Sequence, residues 1–329
     1  MSEFAFELEL CAALEERCDG IVSRQLGANV TDPGGRILDV VLVRPGPEFD
    51  DRRALTGETI PNVALQSRVG PGRFRYWKEC FDCHPRRARA TVDRAVDIGF
   101  FERERRNGRD YVRQVARYPD WFDGIVGIEN KPDLGRPGDL QAQLRTDVSL
   151  GIVDEVVLAT RSYVTRAHLN RIPDEVGVWR IHDMDSKDIE IEVLRGPTQL
   201  PVDQGGIEPL ESHPGRTDVA VVSADDKARA RRWLAERAYG KGWRTYTFPE
   251  CGACRADDPN GATLPFCEWK GRVVDAGSEC GSSCGGYDPD STLDWNSDID
   301  LETERERRTA WVAMPDGKQR QQTGLDRFE

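Results

Sequence analysis

The chain has 329 residues, 38% of them hydrophobic, and its 58 acidic and 46 basic residues give a net charge of −12. Such a chain can bury the cores of two or three domains, and its acidic excess argues against a uniformly basic nucleic-acid-binding protein, although an acidic total can contain a local basic patch. No apolar run approaches the ~20 residues that a membrane span needs, and the N-terminus lacks a secretion-signal pattern, so we expect a cytoplasmic protein that binds no membrane.

The N-terminal segment predicts a helix and, after it, a strand with a carboxylate in its middle. Residues 3–18 place apolar side chains on one helical stripe, and Glu7 and Glu9 lie near it, where either can point inward or remain on a solvated edge. Arg36 to Val43 predicts a strand in which apolar residues flank Asp39 on both sides. A carboxylate at such a position is costly to bury unless it is paired or binds a cation.

Residues 48–122 are rich in arginine and aromatic residues and have a helical period. We predict three helices here, from Ile60 to Val69, from Phe74 to Phe81 and from Pro85 to Ile98. They are followed by two alternating segments on either side of Asn107-Gly108, which is the strongest short-range signal for a β-hairpin.

Three helices with a hairpin directly after the third resemble a winged helix-turn-helix domain. In that family the third helix enters the major groove of DNA and the hairpin contacts the DNA backbone. The resemblance implies that arginines of the third helix and the hairpin tip bind DNA. These are Arg86, Arg87, Arg89, Arg94, Arg105, Arg106 and Arg109. The alternative is that these arginines only pack against the core of the domain or bind another protein.

A β-α-β unit is predicted next. The apolar strand Ile125–Ile128 runs directly into Glu129-x-Lys131, and because alternate side chains of a strand share a face, Glu129 and Lys131 are expected to point the same way. A helix with an apolar stripe begins at about Asp139, and Val156–Ala159 predicts a buried strand parallel to the first. Taken alone, Glu-x-Lys at a strand end is usually an exposed ion pair. Only seven of the 46 basic residues are lysines, however, which makes this one a candidate for a functional position.

Taken in order, the predicted core contains a helix with Glu7, a strand with Asp39, a strand ending in Glu129-x-Lys131, a helix with Gln143 and a strand at 154–160. This order resembles the PD-(D/E)XK nuclease superfamily. The resemblance covers about residues 1–45 and 124–195, with the winged-helix region inserted between the two halves. It implies an α/β fold with a restriction-endonuclease-like mixed sheet flanked by helices.

The resemblance also implies a metal site. Asp39 and Glu129 would bind Mg²⁺ or Mn²⁺, and a glutamate of the first helix, Glu7 or alternatively Glu9, would join them. The chemistry is consistent with these residue types, because phosphodiester hydrolysis needs hard oxygen ligands for the metal ion, positive charge beside the phosphate and a water held in line.

Two further site residues follow from the same resemblance. Lys131 would orient or activate the attacking water, and a glutamine of the next helix, Gln143 or alternatively Gln141, recurs in some branches. The expected function is metal-dependent hydrolysis of nucleic acid, with DNA as the favoured substrate. A catalytically inactive DNA-binding or regulatory protein on the same fold is the alternative, and a protein-interaction scaffold is a third. The whole chain also resembles uncharacterised proteins of salt-loving archaea, and its acidic excess with few lysines suits a cytoplasm of high salt.

The C-terminal part is predicted from turn residues and caps. Ala167–Val176 predicts a short helix, and Val178–Ile181 with Ile189–Val193 predicts a hairpin. Ser223 begins a helix that runs to about Gly240. The predicted divisions of the chain are 1–47 and 123–196 for the two halves of the nuclease-like core, 48–122 for the inserted winged helix, 197–222 for a Pro- and Gly-rich linker or surface loop, 223–295 for a helix with a Cys-rich module, and 296–329 for an acidic, polar tail.

Five cysteines lie in that Cys-rich module. Cys251-x2-Cys254 and Cys280-x3-Cys284 are two pairs with the spacing of a tetrahedral Zn²⁺ site, and Cys267 is spare or a substitute ligand. Some nucleases of the PD-(D/E)XK superfamily carry an iron–sulfur cluster instead, so this is the alternative cofactor. A third interpretation is that the cysteines are free thiols in a reducing cytosol. A further pair, Cys80-x2-Cys83, also has ligand spacing, but we expect it to pack in a core.

Overall fold

The structure is a computed structural model that describes residues 2–31, 35–54, 60–65, 67–81, 83–182, 189–257, 262–289 and 301. The chain divides into two compact units, Met1–Arg44 with Gly124–Glu329, here called the sheet unit, and Pro45–Asp123, here called the arginine-rich unit. The predicted tail lies outside the described residues except for residue 301.

The described helices are α1 (Glu3–Arg17), α2 (Phe49–Arg53), α3 (Asn62–Leu65), α4 (Pro85–Asp97), α5 (Leu140–Leu150), α6 (Arg166–Leu169), α7 (Ala224–Lys241) and α8 (Ala276–Glu279). The described strands are β1 (Ile21–Gly27), β2 (Ile37–Pro45), β3 (Arg75–Tyr76), β4 (Phe101–Arg106), β5 (Arg109–Gln114), β6 (Phe122–Asn130), β7 (Glu155–Thr160), β8 (Gly177–His182), β9 (Glu190–Arg195), β10 (Gly206–His213), β11 (Arg216–Val222), β12 (Cys254–Asp257), β13 (Leu264–Cys267) and β14 (Arg272–Val273). None of these helices is long and apolar enough to cross a membrane.

The sheet unit is α/β, with a mixed sheet in the order β1-β2-β6-β7-β8-β9 and helices flanking it. Strands β6, β7 and β8 run parallel, whereas β1 is antiparallel to β2 and β9 is antiparallel to β8. The predicted parallel pairing on either side of α5 is therefore present. Every residue of β6 from Gly124 to Asn130 is buried, as expected for a strand in the middle of a sheet.

Local signals account for several of these elements. The side chain of Ser2 accepts the N–H of Ala5 and caps α1, and the side chain of Ser223 caps α7 in the same way. Gly151 ends α5 in the left-handed conformation, with φ 59°. The apolar face of α1 packs on the sheet against residues such as Val40 and Ile128. Strand β1 was not predicted, because its polar residues at 23–25 interrupt the apolar pattern.

The arginine-rich unit contains a three-stranded sheet in the order β3-β5-β4, with α4 before the β4–β5 hairpin. The hairpin at Asn107-Gly108 is confirmed, with φ of 48° and 75° at its two turn residues. The predicted helix from Phe74 to Phe81 is wrong. Its residues instead form β3, which pairs with β5, and a 3₁₀ turn at Trp77–Glu79, because pairing with a distant strand outweighs local helical periodicity.

Two other predicted helices are shorter than expected. The helix predicted from Ile60 is reduced to α3, because the Ser67 hydroxyl donates to the Ala64 carbonyl and accepts the Val69 N–H, which turns the backbone out of the helix. The helix predicted over Ala167–Val176 is reduced to the four residues of α6, which are capped by Thr165 and followed by Pro173.

The predicted linker at 197–222 is also wrong over most of its length. Strands β10 and β11 form an antiparallel hairpin there, with the turn at Gly215 in the left-handed conformation at φ 84°. The glycines and prolines of this segment obscure its alternating pattern. A buried carboxylate holds the hairpin in place: Glu208 accepts hydrogen bonds from the side chains of Asn29 and Thr31 and from the backbone N–H groups of Val30 and Thr31, the N–H of Thr31 at 2.7 Å.

Candidate active site

The carboxylate of Asp39 on β2 is the neighbour of two others that are distant in sequence, Glu7 on α1 and Glu129 on β6. The Asp39 Oδ2 atom accepts the backbone N–H of Asn130 at 3.0 Å, so its carboxylate lies beside the peptide group that follows Glu129. The Nε2 atom of Gln25 donates to Glu7 Oε2 at 2.8 Å and to Asp39 Oδ1 at 3.4 Å. Asp39 is thus linked to Glu7 of α1 through Gln25, and its negative charge also acts on Glu129 of β6.

The carboxylates repel one another in a buried environment. Burial and then the negative charge of Asp39 raise the pKa of Glu129 to about 7, although Arg36 opposes this shift. Burial also raises the pKa of Asp39, although the hydrogen bond from the Asn130 N–H and the charge of Arg36 lower it. Burial likewise raises the pKa of Glu7, although the neighbouring Arg24 lowers it. A group of acids with raised pKa values is the electrostatic condition that a bound cation relieves.

Lys131 follows the last residue of β6, and its ammonium pairs with the carboxylate of Glu3 on α1. The negative charge of Glu3 also makes a small contribution to the raised pKa of Asp39. Glu129 has a different partner, Arg36, so Glu129 and Lys131 do not form the surface ion pair that a Glu-x-Lys triplet suggests when taken alone.

Arg36 is the main site residue that the sequence analysis missed. Its guanidinium is 7% exposed and binds Glu129 at 2.7 Å and both carboxylate oxygens of Asp147 at 2.8 and 2.6 Å. A signal for Asp147 exists in the sequence, since it occupies a position of the buried stripe of α5 together with Leu144 and Leu150. An acid on such a stripe requires a buried cationic partner.

The remaining predicted residues are placed as follows. Gln143 is half-buried on α5, and within the described ranges it makes no side-chain hydrogen bond to the three carboxylates. Gln141 is exposed and lines a separate cavity of about 240 Å³ with Leu134 and Ile172. Glu9 is buried, but the contacts to Gln25 and Asn130 are made by Glu7.

Asn130 supplies an oxygen that suits a hard cation. Its Nδ2 atom donates to the Glu3 carbonyl at 3.2 Å and to Glu7 Oε2 at 3.4 Å, whereas its buried Oδ1 atom has no hydrogen-bond partner. Buried oxygens without a partner are rare, and a carboxamide oxygen next to carboxylates is a suitable ligand for Mg²⁺ or Mn²⁺. The residues present therefore fit a divalent cation.

The spacing of the carboxylates is wider than that of a closed metal site. Within the described part of the chain, one set of three His, Cys or acidic ligand atoms lies within 4.8 Å of one another, formed by Glu211, His213 and Asp218 on the β10–β11 hairpin. Its Glu211 and Asp218 side chains are 72% and 49% exposed, and exposed acidic groups commonly cluster without binding a metal. Glu7, Asp39 and Glu129 do not meet this spacing.

The seven predicted DNA-binding arginines fall into two groups. Three are tied to partners within the arginine-rich unit: Arg89 pairs with Asp93 and Asp110, Arg106 pairs with Glu104, and Arg109 lies 5.5 Å from the ring centre of Tyr76. The other four are exposed, on α4 and at the hairpin tip. These are Arg86, Arg87, Arg94 and Arg105.

All five cysteines of the Cys-rich module are free thiols in one small region. Cys254 on β12 lies directly opposite Cys267 on β13, and the backbone N–H of Asp288 donates to the Cys251 sulfur at 3.4 Å. Cys251, Cys254 and Cys267 are buried, whereas Cys280 and Cys284 are half-buried. Cys80, by contrast, is buried in the core of the arginine-rich unit with Cys83 packed against that core.

No curated protein and no solved structure matches this chain. A family model matches residues 21–289, a span that includes β1 to α8 and therefore Asp39, Glu129, Lys131 and the five C-terminal cysteines. Since the match covers most of the 329 residues, the chain belongs to DUF5787, a family of unknown function.

Proposed function

We propose that this protein is a metal-dependent nuclease of the PD-(D/E)XK type that hydrolyses phosphodiester bonds in nucleic acid, with DNA as the expected substrate. The observation that supports the proposal is the position of the Asp39 carboxylate next to those of Glu7 and Glu129. Asp39 accepts the N–H of the residue after Glu129, and Gln25 joins Asp39 to Glu7. Lys131 stands beside them, paired with Glu3.

The order of elements supports the proposed restriction-endonuclease-like fold. In sequence the core of the sheet unit is α1, β1, β2, β6, α5 and β7, and the four strands are neighbours in the sheet in that same order. The arginine-rich unit lies in the chain between β2 and β6. This is the order on which the resemblance to the nuclease superfamily rests, with β1 added.

The proposed metal ligands are the carboxylates of Asp39, Glu129 and Glu7. A divalent Mg²⁺ or Mn²⁺ supplies a Lewis acid that stabilises negative charge developing on the phosphate. The protein positions these oxygens through hydrogen bonds from Gln25 and from the Asn130 backbone, and Glu7 and Glu129 are buried, whereas Asp39 is half-buried. Glu129 would exchange part of its interaction with Arg36 for the cation.

Lys131 has the properties of a charge-stabilising or water-positioning group. Its side chain is 20% exposed, and Glu3 holds its ammonium beside the carboxylates. A fixed positive charge at the point where phosphate charge increases stabilises the transition state more than the ground state.

The arginine-rich unit supports DNA as the substrate, through the winged helix that we propose for it. Its short helices precede a hairpin whose strand β5 lies between β3 and β4, and the N-terminal turn of α4 presents the exposed Arg86 and Arg87. Exposed arginines at the start of a helix suit contact with phosphates.

The test of the nuclease proposal is cleavage of plasmid and branched DNA with Mg²⁺ or Mn²⁺ at high salt. We expect cleavage by the wild-type protein and a loss of about 10-fold to 100-fold in Lys131→Ala, because one preorganised charge is removed. Lys131→Arg is expected to retain part of the activity. Equal background cleavage by wild type and Lys131→Ala would exclude the enzyme.

One observation favours a second function, a catalytically inactive DNA-binding or regulatory protein on the same fold. Arg36 already neutralises Glu129 in the buried cluster, so the carboxylates can be satisfied without a metal ion. This protein would bind duplex DNA, cleave none of it and bind no Mn²⁺ at Asp39.

Both functions predict that Arg86→Ala/Arg87→Ala weakens binding to duplex DNA. Loss of two phosphate contacts should reduce the number of counterions released on binding by roughly two, which lowers the slope of log K against log salt concentration. Binding should weaken by about the same factor for all DNA sequences. Fluorescence anisotropy at several salt concentrations measures both effects. The control is Arg166→Ala/Arg216→Ala, which removes two exposed arginines of the sheet unit. If both double variants bind DNA as the wild type does, α4 is not the DNA-binding helix.

A further inference from the structure

The Cys-rich module is built from short elements that add little apolar core of their own. Its three strands contain four, four and two residues, and α8 contains four residues. No disulfide joins its cysteines. Modules of this size are usually stabilised by disulfide bonds or a bound metal ion. The five thiols could provide the ligands for such an ion.

The backbone brings two cysteine-bearing segments against each other. The first segment is the turn from Cys251 to Cys254, closed by a hydrogen bond from the Cys254 N–H to the Cys251 carbonyl at 2.9 Å. The chain after α8 then folds back onto this turn: the Gly252 N–H donates to the Asp288 carbonyl at 2.7 Å, and the Asp288 N–H donates to the Cys251 sulfur. An N–H that donates to a sulfur stabilises that sulfur as a thiolate.

The strand register and one ion pair locate four of the five cysteines at the β12–β13–β14 sheet, and the electrostatic coupling among their thiols agrees. Burial and the thiols of Cys280, Cys267 and Cys251 together raise the pKa of Cys254 to about 12. Burial and the thiols of Cys267 and Cys251 raise the pKa of Cys280 as well, and Cys284 contributes to that shift only after them. In the structure, Cys254 and Cys267 lie opposite each other in register, and Cys267 also pairs with Arg272, which binds Glu279, the residue before Cys280.

We propose that Cys251, Cys254, Cys267 and Cys280 bind one zinc ion, with Cys284 outside the ligand set. This assignment differs from the spacing-based pairing of Cys280 with Cys284, because the strand register places Cys267 next to Cys254. Within the described residues no three thiol sulfurs lie within 4.8 Å of one another. Zinc, at about 2.3 Å from each sulfur, would draw the four together and release their protons, which couples metal binding to folding of the module.

The module is connected to the start of α1, so the zinc ion would also support the carboxylate cluster. Arg272 on β14 donates to the hydroxyl of Ser2, the N-cap residue of α1, at 3.2 Å, and it pairs with Glu279 just before Cys280. Leu264 and Val273 share a buried core with α1. The zinc assignment itself does not depend on nuclease activity.

The experiment measures metal content in full-length protein purified without added metal. Elemental analysis is expected to find about one zinc ion per chain in the wild type and in Cys284→Ser, and at least about tenfold less in Cys267→Ser. The melting temperature of Cys267→Ser should fall, whereas that of Cys284→Ser should not. Loss of zinc from Cys284→Ser, absence of zinc from the wild type, or iron with acid-labile sulfide in place of zinc would each overturn the assignment.

A second measurement uses only the wild-type protein, in case Cys267→Ser does not fold. Cys280 and Cys284 are both half-buried, so they differ mainly in the proposed bond to zinc. Native alkylation followed by mass spectrometry should label Cys284 at once and Cys280 only after a chelator removes the zinc. Equal labelling of the two cysteines before chelation would contradict the proposal.

Discussion

Replacing Arg36 with methionine is expected to lower the free energy of unfolding by about 3–5 kcal/mol. The substitution keeps most of the side-chain volume but leaves Glu129 and Asp147 buried without their counter-charge, and their side chains are only 5% and 4% exposed. Removing one partner of a buried ion pair costs several kcal/mol, because the remaining charge is uncompensated. Urea unfolding at pH 8 measures this loss.

The pH dependence gives this prediction a second readout. The folded-state pKa of Glu129 is already raised to about 7, and that of Asp147 is raised by burial, so both groups bind protons more readily in the folded protein than in the unfolded chain. Their destabilising effect is therefore present above the folded pKa and disappears as the pH falls. The cost of Arg36→Met should be largest at pH 8 and should shrink towards pH 5.

Arg44→Met is the matched control for this experiment. Arg44 also forms a bidentate ion pair with a glutamate, Glu155, but the Arg44 side chain is 46% exposed. A solvent-exposed pair contributes about 0–1 kcal/mol, so the control should lose little stability and show little pH dependence. If Arg36→Met costs no more than Arg44→Met, the buried cluster is not organised around Arg36.

Replacing Asp39 with asparagine is expected to lower DNA cleavage by about 10²–10³-fold, the size of effect seen when one preorganised electrostatic group is removed. Asparagine keeps an oxygen that can accept the N–H of Asn130, so the fold around β2 and β6 should be preserved. What the variant loses is the negative charge that attracts the divalent cation.

The same variant separates loss of metal binding from loss of structure. A ligand that binds only the folded protein stabilises it by about 2.7 kcal/mol at one hundred times its Kd. Mn²⁺ should therefore raise the melting temperature of the wild type and of Asp174→Asn, whose side chain is fully exposed, but not that of Asp39→Asn. Equal Mn²⁺ shifts in all three proteins would place the metal elsewhere, and absence of a shift in the wild type would favour the inactive alternative.

These two experiments also distinguish the active protein from the inactive one. In a nuclease, Glu129 must be available to the cation, and its interaction with Arg36 is then a resting arrangement. In an inactive relative, Arg36 satisfies Glu129 permanently, and Asp39 is held by the Asn130 N–H and Gln25 without a metal ion. The stability loss of Arg36→Met is expected in both cases, whereas the Mn²⁺ shift is expected only in the first.

The sequence by itself determined the elements whose signals are local. The parallel strands on either side of α5 follow from apolar runs that are too short for helices, the Asn107-Gly108 hairpin follows from the backbone preferences of its turn, and Ser223 marks the start of α7. Each of these signals acts over about a dozen residues or fewer, so it is present in the chain before any tertiary contact forms.

Local patterns failed where distant contacts determined the outcome. The residues predicted as a helix from Phe74 form β3 because their backbone pairs with β5, and the hairpin of β10 and β11 in the predicted linker is anchored by Glu208, which binds the loop at Asn29 to Thr31. The residue spacing of the cysteines likewise pairs Cys280 with Cys284, whereas the register of β12 and β13 brings Cys267 to Cys254.

The candidate site divides in the same way. Asp39 could be selected from the sequence because an acid within an apolar strand is costly to bury unless it has a partner, whereas Glu129 and Glu7 were selected through the resemblance to the nuclease superfamily. Which partner each acid has was decided only by the tertiary structure: Arg36 reaches Glu129 and Asp147, and Gln25 reaches Glu7 and Asp39. Arg36 and Asp147 are 111 residues apart, and an ion pair over that separation depends on sheet order and side-chain reach, which no local pattern in the chain records.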